Sequence, residues 1–300
     1  MDIPTIYLDQ NILGYIYEGS FPLDSIQNVQ WVYSNTHFSE FKGSNLEVDF
    51  LNILTKLDAS YLSLDLDKQF KPLGTAKINR KRSPSQNFNE YVETLSSSNL
   101  NIRVFDELIA SLNGGRILLS AESVAENTFS FIDDLKTRGL ITEVQVTMFR
   151  KQKEEYSRFL KCLFREQKDI VKIRKKMGIP SSGLTNISGD SVFQQIWNVV
   201  ESHNDVDIDS FFGFSGVGVE ELPLCSGIVR CCAILDIIGF HSERKCRKAD
   251  KIANVMSDSQ HIANGAFCTA IISNDRALVE RAKAIYEYKG ISTKLFHYSN

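Results

Sequence analysis

The same local pattern occurs near both ends of the chain: a short apolar run, then an aspartate, then the start of a helix. The stretch IPTIYLDQNILGYI carries this pattern at Asp9, and AIISNDRALVERA repeats it at Asp275. Short apolar runs of this kind are typical of strands that are buried in a parallel sheet. Because parallel strands end at the same edge of a sheet, we expect the two aspartates to share a crevice there.

Strands and helices alternate in the first 67 residues and again after residue 240. This alternation predicts an α/β fold with a mostly parallel sheet. The basic stretch 71–87, with its prolines and glycine, predicts a loop or boundary. From about residue 88 to 240 the apolar spacing is almost entirely helical. We therefore predict a discontinuous core, residues 1–67 and 241–300, interrupted by a mainly helical insertion, residues 68–240.

Composition excludes some classes of protein. The 300 residues carry a formal net charge of −3, which gives no overall attraction to nucleic acid. No stretch reaches the roughly 18 uninterrupted apolar residues of a membrane span, so we expect no membrane partner. The N-terminus lacks the basic region of a secretory signal. The six cysteines form no C-x-x-C pair, which favours reduced thiols in a cytoplasmic protein over disulfides or a zinc site.

Two more carboxylates lie in positions that suggest a cluster. Asp258 falls on a predicted helix just before the second aspartate-ending strand, beside the apolar stripe of that helix. Glu40 follows the predicted strand VQWVYS on the next helix. Each residue alone has a simpler interpretation: Asp9 and Asp275 as helix N-caps, and Glu40 as a solvated helix residue.

Taken in order, these residues resemble the motifs of the PIN-domain nucleases, a family named after the PilT N-terminus. The family's motifs are a strand ending in Asp-x-Asn, an acidic residue on the helix after the next strand, an Asp on a helix followed by small residues, and a strand ending in Ser/Thr-x-Asp. The matching residues are Asp9 with Asn11, Glu40, Asp258, and Ser273 with Asp275. The resemblance covers residues 3–66 and 245–300. The long helical stretch has no counterpart in small family members, and Gln10 stands where Thr is commoner.

The resemblance implies a three-layer α/β/α core and a divalent-metal-dependent ribonuclease. Four residues would be both catalytic and metal-binding: Asp9, Glu40, Asp258 and Asp275. Asn11 and Ser273 would orient carboxylates or water, although local helix capping explains them as well. Family members include toxins, defence effectors and RNA-processing enzymes.

The chemistry of crowded carboxylates leads to the same expectation. Such groups repel one another unless a cation neutralises them. Oxygen ligands suit Mg²⁺ or Mn²⁺, and one or two such ions can activate water for phosphodiester hydrolysis. His261, three residues after Asp258, is expected to support the ligands, to contact substrate or to be a structural histidine, and His37 is similar.

Basic residues give candidate contacts to nucleic acid. Residues 150–176 carry eleven Lys or Arg against four acidic residues, a pattern that fits either a phosphate-binding helix or a solvated face. Two shorter clusters lie at 77–82 and 243–248. From them we predict nucleic-acid contacts by Arg80, Lys81, Arg82, Arg244, Lys245, Arg247 and Lys248.

Three functions remain open at this point. The leading hypothesis is a metal-dependent endoribonuclease acting on RNA. The alternatives are a metal-dependent DNA nuclease of the flap-endonuclease type and a non-catalytic PIN-like scaffold that binds RNA or protein. The helical insertion is the expected site for a regulatory protein partner or a homo-oligomer contact.

Overall fold

A six-stranded sheet brings together strands from the two ends of the chain. The computed structural model describes residues 3–68, 72–96, 120–166, 170–216, 219–242 and 248–299. The sheet strands are β1 (Thr5–Leu8), β2 (Gln30–Tyr33), β3 (Ser60–Leu66), β4 (Pro72–Asn79), β7 (Ala270–Ser273) and β8 (Lys294–His297). Their order is β4-β3-β2-β1-β7-β8, parallel except for the antiparallel pair β3 and β4. The predicted α/β fold with a mostly parallel sheet is confirmed.

Helices fill most of the remaining described chain. The first four are α1 (Gln10–Tyr17), α2 (Asn35–Phe41), α3 (Glu47–Lys56) and α4 (Pro84–Ser96). The next four are α5 (Ala121–Phe129), α6 (Phe131–Thr137), α7 (Glu143–Glu166) and α8 (Ile170–Lys176). The last five are α9 (Val192–Val200), α10 (Ile208–Phe211), α11 (Leu224–Ile238), α12 (Ala249–Gly265) and α13 (Arg276–Lys289). A small hairpin pairs β5 (Ser215–Gly216) with β6 (Val219–Glu221).

Alternate residues of the central strands belong to two different hydrophobic cores. On β1, Ile6 and Leu8 pack with α1 and α3, whereas Tyr7 packs with α11, α12 and α13. Since side chains alternate across a strand, these cores lie on opposite faces of the sheet. Burial on both faces explains why β1, β2 and β7 are short, mostly apolar runs with polar residues only at their ends.

The predicted loop or boundary at 71–87 is wrong for residues 72–79, which form β4, and for residues 84–87, which begin α4. Polar residues alternate along this strand, and two of them bond across to β3: Nζ of Lys77 lies 2.6 Å from Asp65 and the Thr75 hydroxyl donates to the same carboxylate. One face of an edge strand is solvated, so its basic residues are compatible with strand pairing. The prediction missed this strand because it relied on the basic composition of the stretch.

Part of the predicted insertion packs against the sheet. Ile196 of α9 and Cys232 of α11 belong to the same core as Tyr7. Elsewhere in that segment, α7 pairs with α5 through ion pairs from Lys153 to Glu126 and from Lys161 to Glu122. The division of the chain into a core and an insertion stays a prediction.

Four cysteines of the described chain are free and buried: Cys225, Cys231, Cys232 and Cys268. None of the described helices combines the length and apolar character needed to cross a membrane.

Candidate acidic site

Asp9 is the most buried acidic residue of the predicted site. It follows β1 at the N-cap position of α1, but its side chain makes no capping hydrogen bond. Instead Oδ2 accepts a hydrogen bond from the Ser273 hydroxyl at 2.7 Å and a longer one from the Asn11 amide at 3.4 Å. The capping interpretation of Asp9 is therefore wrong, because the carboxylate accepts from the side chains of Ser273 and Asn11 and not from the first backbone N–H groups of α1.

Asp275, which has the same sequence pattern, does cap its helix. Its Oδ1 accepts from the backbone N–H groups of Ala277 and Leu278 at 2.7 and 3.0 Å. Its own N–H donates to Oγ of Ser273 at 2.9 Å. Ser273 thus joins the two carboxylate-bearing strand ends, which meet at the carboxyl edge of β1 and β7 as the sequence predicts.

His261 lies between Asp9 and Glu40. Its Nε2 donates to Oε2 of Glu40 at 3.0 Å and lies 3.8 Å from Oδ1 of Asp9. Burial raises the pKa of Asp9, and Glu40 and Asp275 raise it further, against the lowering effects of His261 and Ser273. Burial lowers the pKa of His261, but Glu40, Asp9 and Asp258 outweigh it, so the balance is a raised pKa. Carboxylates from distant parts of the chain thus share one electrostatic environment.

A buried hydrogen-bond chain fixes His261 from its other side. Oγ of Ser34 accepts from the Thr36 N–H at 3.3 Å and from Nδ2 of Asn264 at 3.1 Å. With both lone pairs used, Ser34 donates its hydrogen to the Tyr7 oxygen at 2.8 Å. When His261 is neutral, the Tyr7 hydroxyl then donates to its Nδ1 at 2.9 Å, and the proton of the neutral ring lies on Nε2.

This chain was not predicted from the sequence. Tyr7 and Ser34 belong to an apolar strand and a strand end, where an aromatic and a small polar residue are ordinary. The available signals were the spacing of Asn264 three residues after His261, which places both on one helix face, and the alternation that turns Tyr7 away from Ile6 and Leu8.

His37 is a structural histidine. It is fully buried, its Nδ1 accepts from the Ser34 N–H at 3.1 Å, and its Nε2 donates to the Leu8 carbonyl at 2.7 Å. Burial lowers its pKa to about 3, and the nearby His261 contributes. This neutral ring completes the capping box of α2 and holds the backbone immediately before Asp9.

The fourth predicted carboxylate, Asp258, lies one helical turn before His261 on α12. It is partly buried, and its charge contributes to the raised pKa of His261. Asp9, Glu40, Asp258 and Asp275 are therefore neighbours of one imidazole or of one another, as the sequence suggests.

The fit of this group to a metal ion depends on donor chemistry and on arrangement. Carboxylate oxygens are the ligands that Mg²⁺ and Mn²⁺ prefer, and a carboxylate as buried as Asp9 favours a neutralising cation. However, the described residues include no group of three or more His, Cys, Asp or Glu side chains that is ready to hold a metal. Nε2 of His261 lies between the two nearest carboxylates. The oxygen donors are of the kind that bind such an ion. In this arrangement, however, the space between the Asp9 and Glu40 carboxylates is taken by the imidazole of His261.

The predicted nucleic-acid contacts are largely engaged elsewhere or lie outside the described residues. Arg80 pairs with Asp58 at 2.7 Å, and Arg82 pairs with Glu90. Lys81 and Lys248 are exposed. Arg244, Lys245 and Arg247 lie outside the described residues.

The basic stretch 150–176 also makes structural contacts. Besides the ion pairs of α7, Arg174 on α8 is buried and donates to the carbonyls of Ile237 and Ser181. A purely phosphate-binding or purely solvated face is therefore too simple an interpretation of this stretch.

Comparison with models of known protein families, with curated proteins and with solved structures gives no match for this chain.

Proposed function

We propose that this chain is a divalent-metal-dependent nuclease that hydrolyses phosphodiester bonds in RNA, built on a three-layer PIN-like core. One observation carries the proposal: Asp9 and Glu40 approach the same His261 nitrogen at the carboxyl edge of a parallel sheet. This edge is where α/β folds bind ligands. The choice of RNA over DNA depends on the family resemblance.

Different residues of the acidic cluster would have different roles in such a site. Asp9 and Glu40 would hold the cation, and Asp258 and Asp275 would add negative charge to its surroundings. Mg²⁺ or Mn²⁺ at a carboxylate site supplies an activated water and stabilises charge on a phosphate. Ser273 keeps Asp9 turned towards the cluster, and the Tyr7–Ser34–Asn264 chain holds the proton of His261 on Nε2.

The burial of Asp9 supports a binding role over a purely structural one. A fully paired structural carboxylate would cap α1 or lie in direct contact with a cationic partner. Asp9 does not cap α1, and its ion-pair partner in the described chain, Nε2 of His261, lies 3.8 Å away and closer to Glu40. Burial and the neighbouring carboxylates Glu40 and Asp275 raise the pKa of Asp9, so the protein groups around it stabilise its ionised form poorly. Binding of a cation would reverse that penalty.

The test compares wild type with Asp9→Asn on labelled single-stranded RNA and DNA, with Mg²⁺, Mn²⁺ or EDTA. We expect metal-dependent RNA cleavage that falls by more than the roughly 10–100-fold typical of residues that only support ligands. Asp24→Asn, an exposed aspartate in a short turn, is the matched control and should cleave normally. Unchanged cleavage by Asp9→Asn would refute the site. Faster cleavage of DNA would favour the DNA nuclease, and no cleavage with either metal would favour the scaffold.

A further inference from the structure

A cavity of about 640 Å³ lies next to the acidic cluster. Its walls come from the residue that follows β2, most of β3, the start of β4, the start of α2, and the helices α11 and α12. Thr36 in this wall precedes Glu40 by one turn of α2, and Asn264 follows His261 by about one turn of α12. One turn is about 5.4 Å, so the cavity and the cluster are within the reach of adjacent parts of one ligand.

The polar wall of the cavity presents oriented amides. Nδ2 of Asn264 donates to the Thr36 hydroxyl at 3.1 Å, which donates in turn to Oε1 of Gln260 at 3.3 Å. This order fixes the Gln260 amide with its Nε2 as a donor and a remaining lone pair on Oε1 as an acceptor. An adjacent donor and acceptor on one planar group can bind the edge of a base.

Much of the remaining wall is apolar, although serines and Asn35 also line it, and its one charged residue within the described chain is basic. Leu64, Val229 and the ring of Tyr61 give flat and aliphatic surfaces. Arg230 is the one charged side chain among the described lining residues. Such a cavity suits a planar, uncharged group attached to an anion, and it offers no carboxylate to a cationic ligand. Its volume is in the range of small-molecule sites, about 300–1,000 Å³.

We propose that this cavity binds one unstacked base of the RNA substrate, with Gln260 contacting the base edge and the neighbouring phosphate lying at the acidic cluster. Single-stranded RNA is commonly recognised through bases turned out of the stack and bound by their edges. The proposal rests on the proposed nuclease function for the identity of the strand. It adds a source of base preference close to the scissile bond.

The test measures binding without cleavage. The full chain is titrated in EDTA with a fluorescein-labelled short single-stranded RNA, and with copies that carry an abasic residue at each position in turn. Gln260→Met keeps the side-chain volume and removes the amide, and Gln194→Met, an exposed glutamine of α9, is the matched control. We expect about tenfold weaker binding for Gln260→Met, in the range for one bidentate base contact. At one position, the copy with the abasic residue should bind wild type and Gln260→Met with equal affinity, because it lacks the base that Gln260 is proposed to contact.

Other results would overturn the proposal. These are equal binding of intact RNA by wild type and Gln260→Met, no binding by either, or abasic losses that are the same for both proteins at every position. The nuclease proposal can fail separately. If Asp9→Asn cleaves RNA as well as wild type, the metal-site assignment is refuted, whereas base-dependent binding in EDTA can still be observed. If Asp9→Asn loses cleavage as expected but Gln260→Met binds RNA as tightly as wild type, only the base-binding role of the cavity is refuted.

Discussion

Lowering the pH should destabilise this fold through His37, by an amount that the structure allows us to work out. The ring is fully buried, donates to the Leu8 carbonyl, and accepts from the Ser34 N–H, so it has no room for a second proton. Its pKa is about 3 in the folded chain, against an ordinary value of 6.5. The unfolded chain therefore binds a proton that the folded chain rejects.

The sign of the effect follows from that difference. A depressed folded pKa contributes stability that is fully present above pH 6.5 and is lost as the pH falls towards 3. Between pH 8 and pH 5 the free energy of unfolding should fall by about 2 kcal/mol from this group alone. Over the steepest part of the window the loss is about 1.4 kcal/mol for each pH unit.

Urea unfolding at pH 8, 6.5 and 5 measures this contribution by difference. His37→Asn keeps an acceptor for the Ser34 N–H and removes the titrating ring. Between pH 8 and pH 5 its free energy of unfolding should therefore fall by about 2 kcal/mol less than that of wild type. His203→Asn removes an exposed histidine and should follow wild type. If the free energy of unfolding falls equally in wild type and His37→Asn between pH 8 and pH 5, the folded chain accepts the proton on His37. That result would refute the assignment of a neutral ring.

Three further predictions concern the site and its surroundings. Tyr7→Phe leaves a buried imidazole acceptor unpaired, so it should lower the free energy of unfolding by about 1–3 kcal/mol and reduce RNA cleavage while leaving EDTA-resistant RNA binding in place. Ser273→Ala removes the donor to Asp9, so by urea unfolding it should cost about 1–3 kcal/mol, and it should weaken Mn²⁺ binding measured by calorimetry. Gly239→Ala places a Cβ 2.8 Å from the Gly183 Cα at a φ of +83°, so thermal unfolding should show a loss of at least about 1–3 kcal/mol.

The elements of the central sheet were largely predictable because their signals are local. Four-residue apolar strands, an Asp or Ser at the strand end and a glycine at the end of α13 all act within a few residues. The strand β4 was missed because its pairing with β3, and the bonds of Lys77 and Thr75 to Asp65, cannot be read from its basic composition.

The different uses of Asp9 and Asp275 could not be predicted, although their positions could. Both follow an apolar strand and precede a helix. Whether each carboxylate caps its helix depends on Ser273, which lies 264 residues from Asp9 in sequence and beside it in space. The same holds for the chain from Asn264 to His261, since it depends on Tyr7 and Ser34 at the other end of the protein.

The central position of β1, between β2 and β7, has a consequence for the order in which the molecule can form during its synthesis. β1 is made first, yet one of its two neighbours is β7, whose backbone Ile272 carbonyl accepts from the Asp9 N–H. A nascent chain that lacks β7 has neither that pairing nor the serine that orients Asp9. The acidic cluster should therefore assemble only after the chain from β1 through β7 has left the ribosome, which would keep the nuclease proposed above inactive until that point of its synthesis.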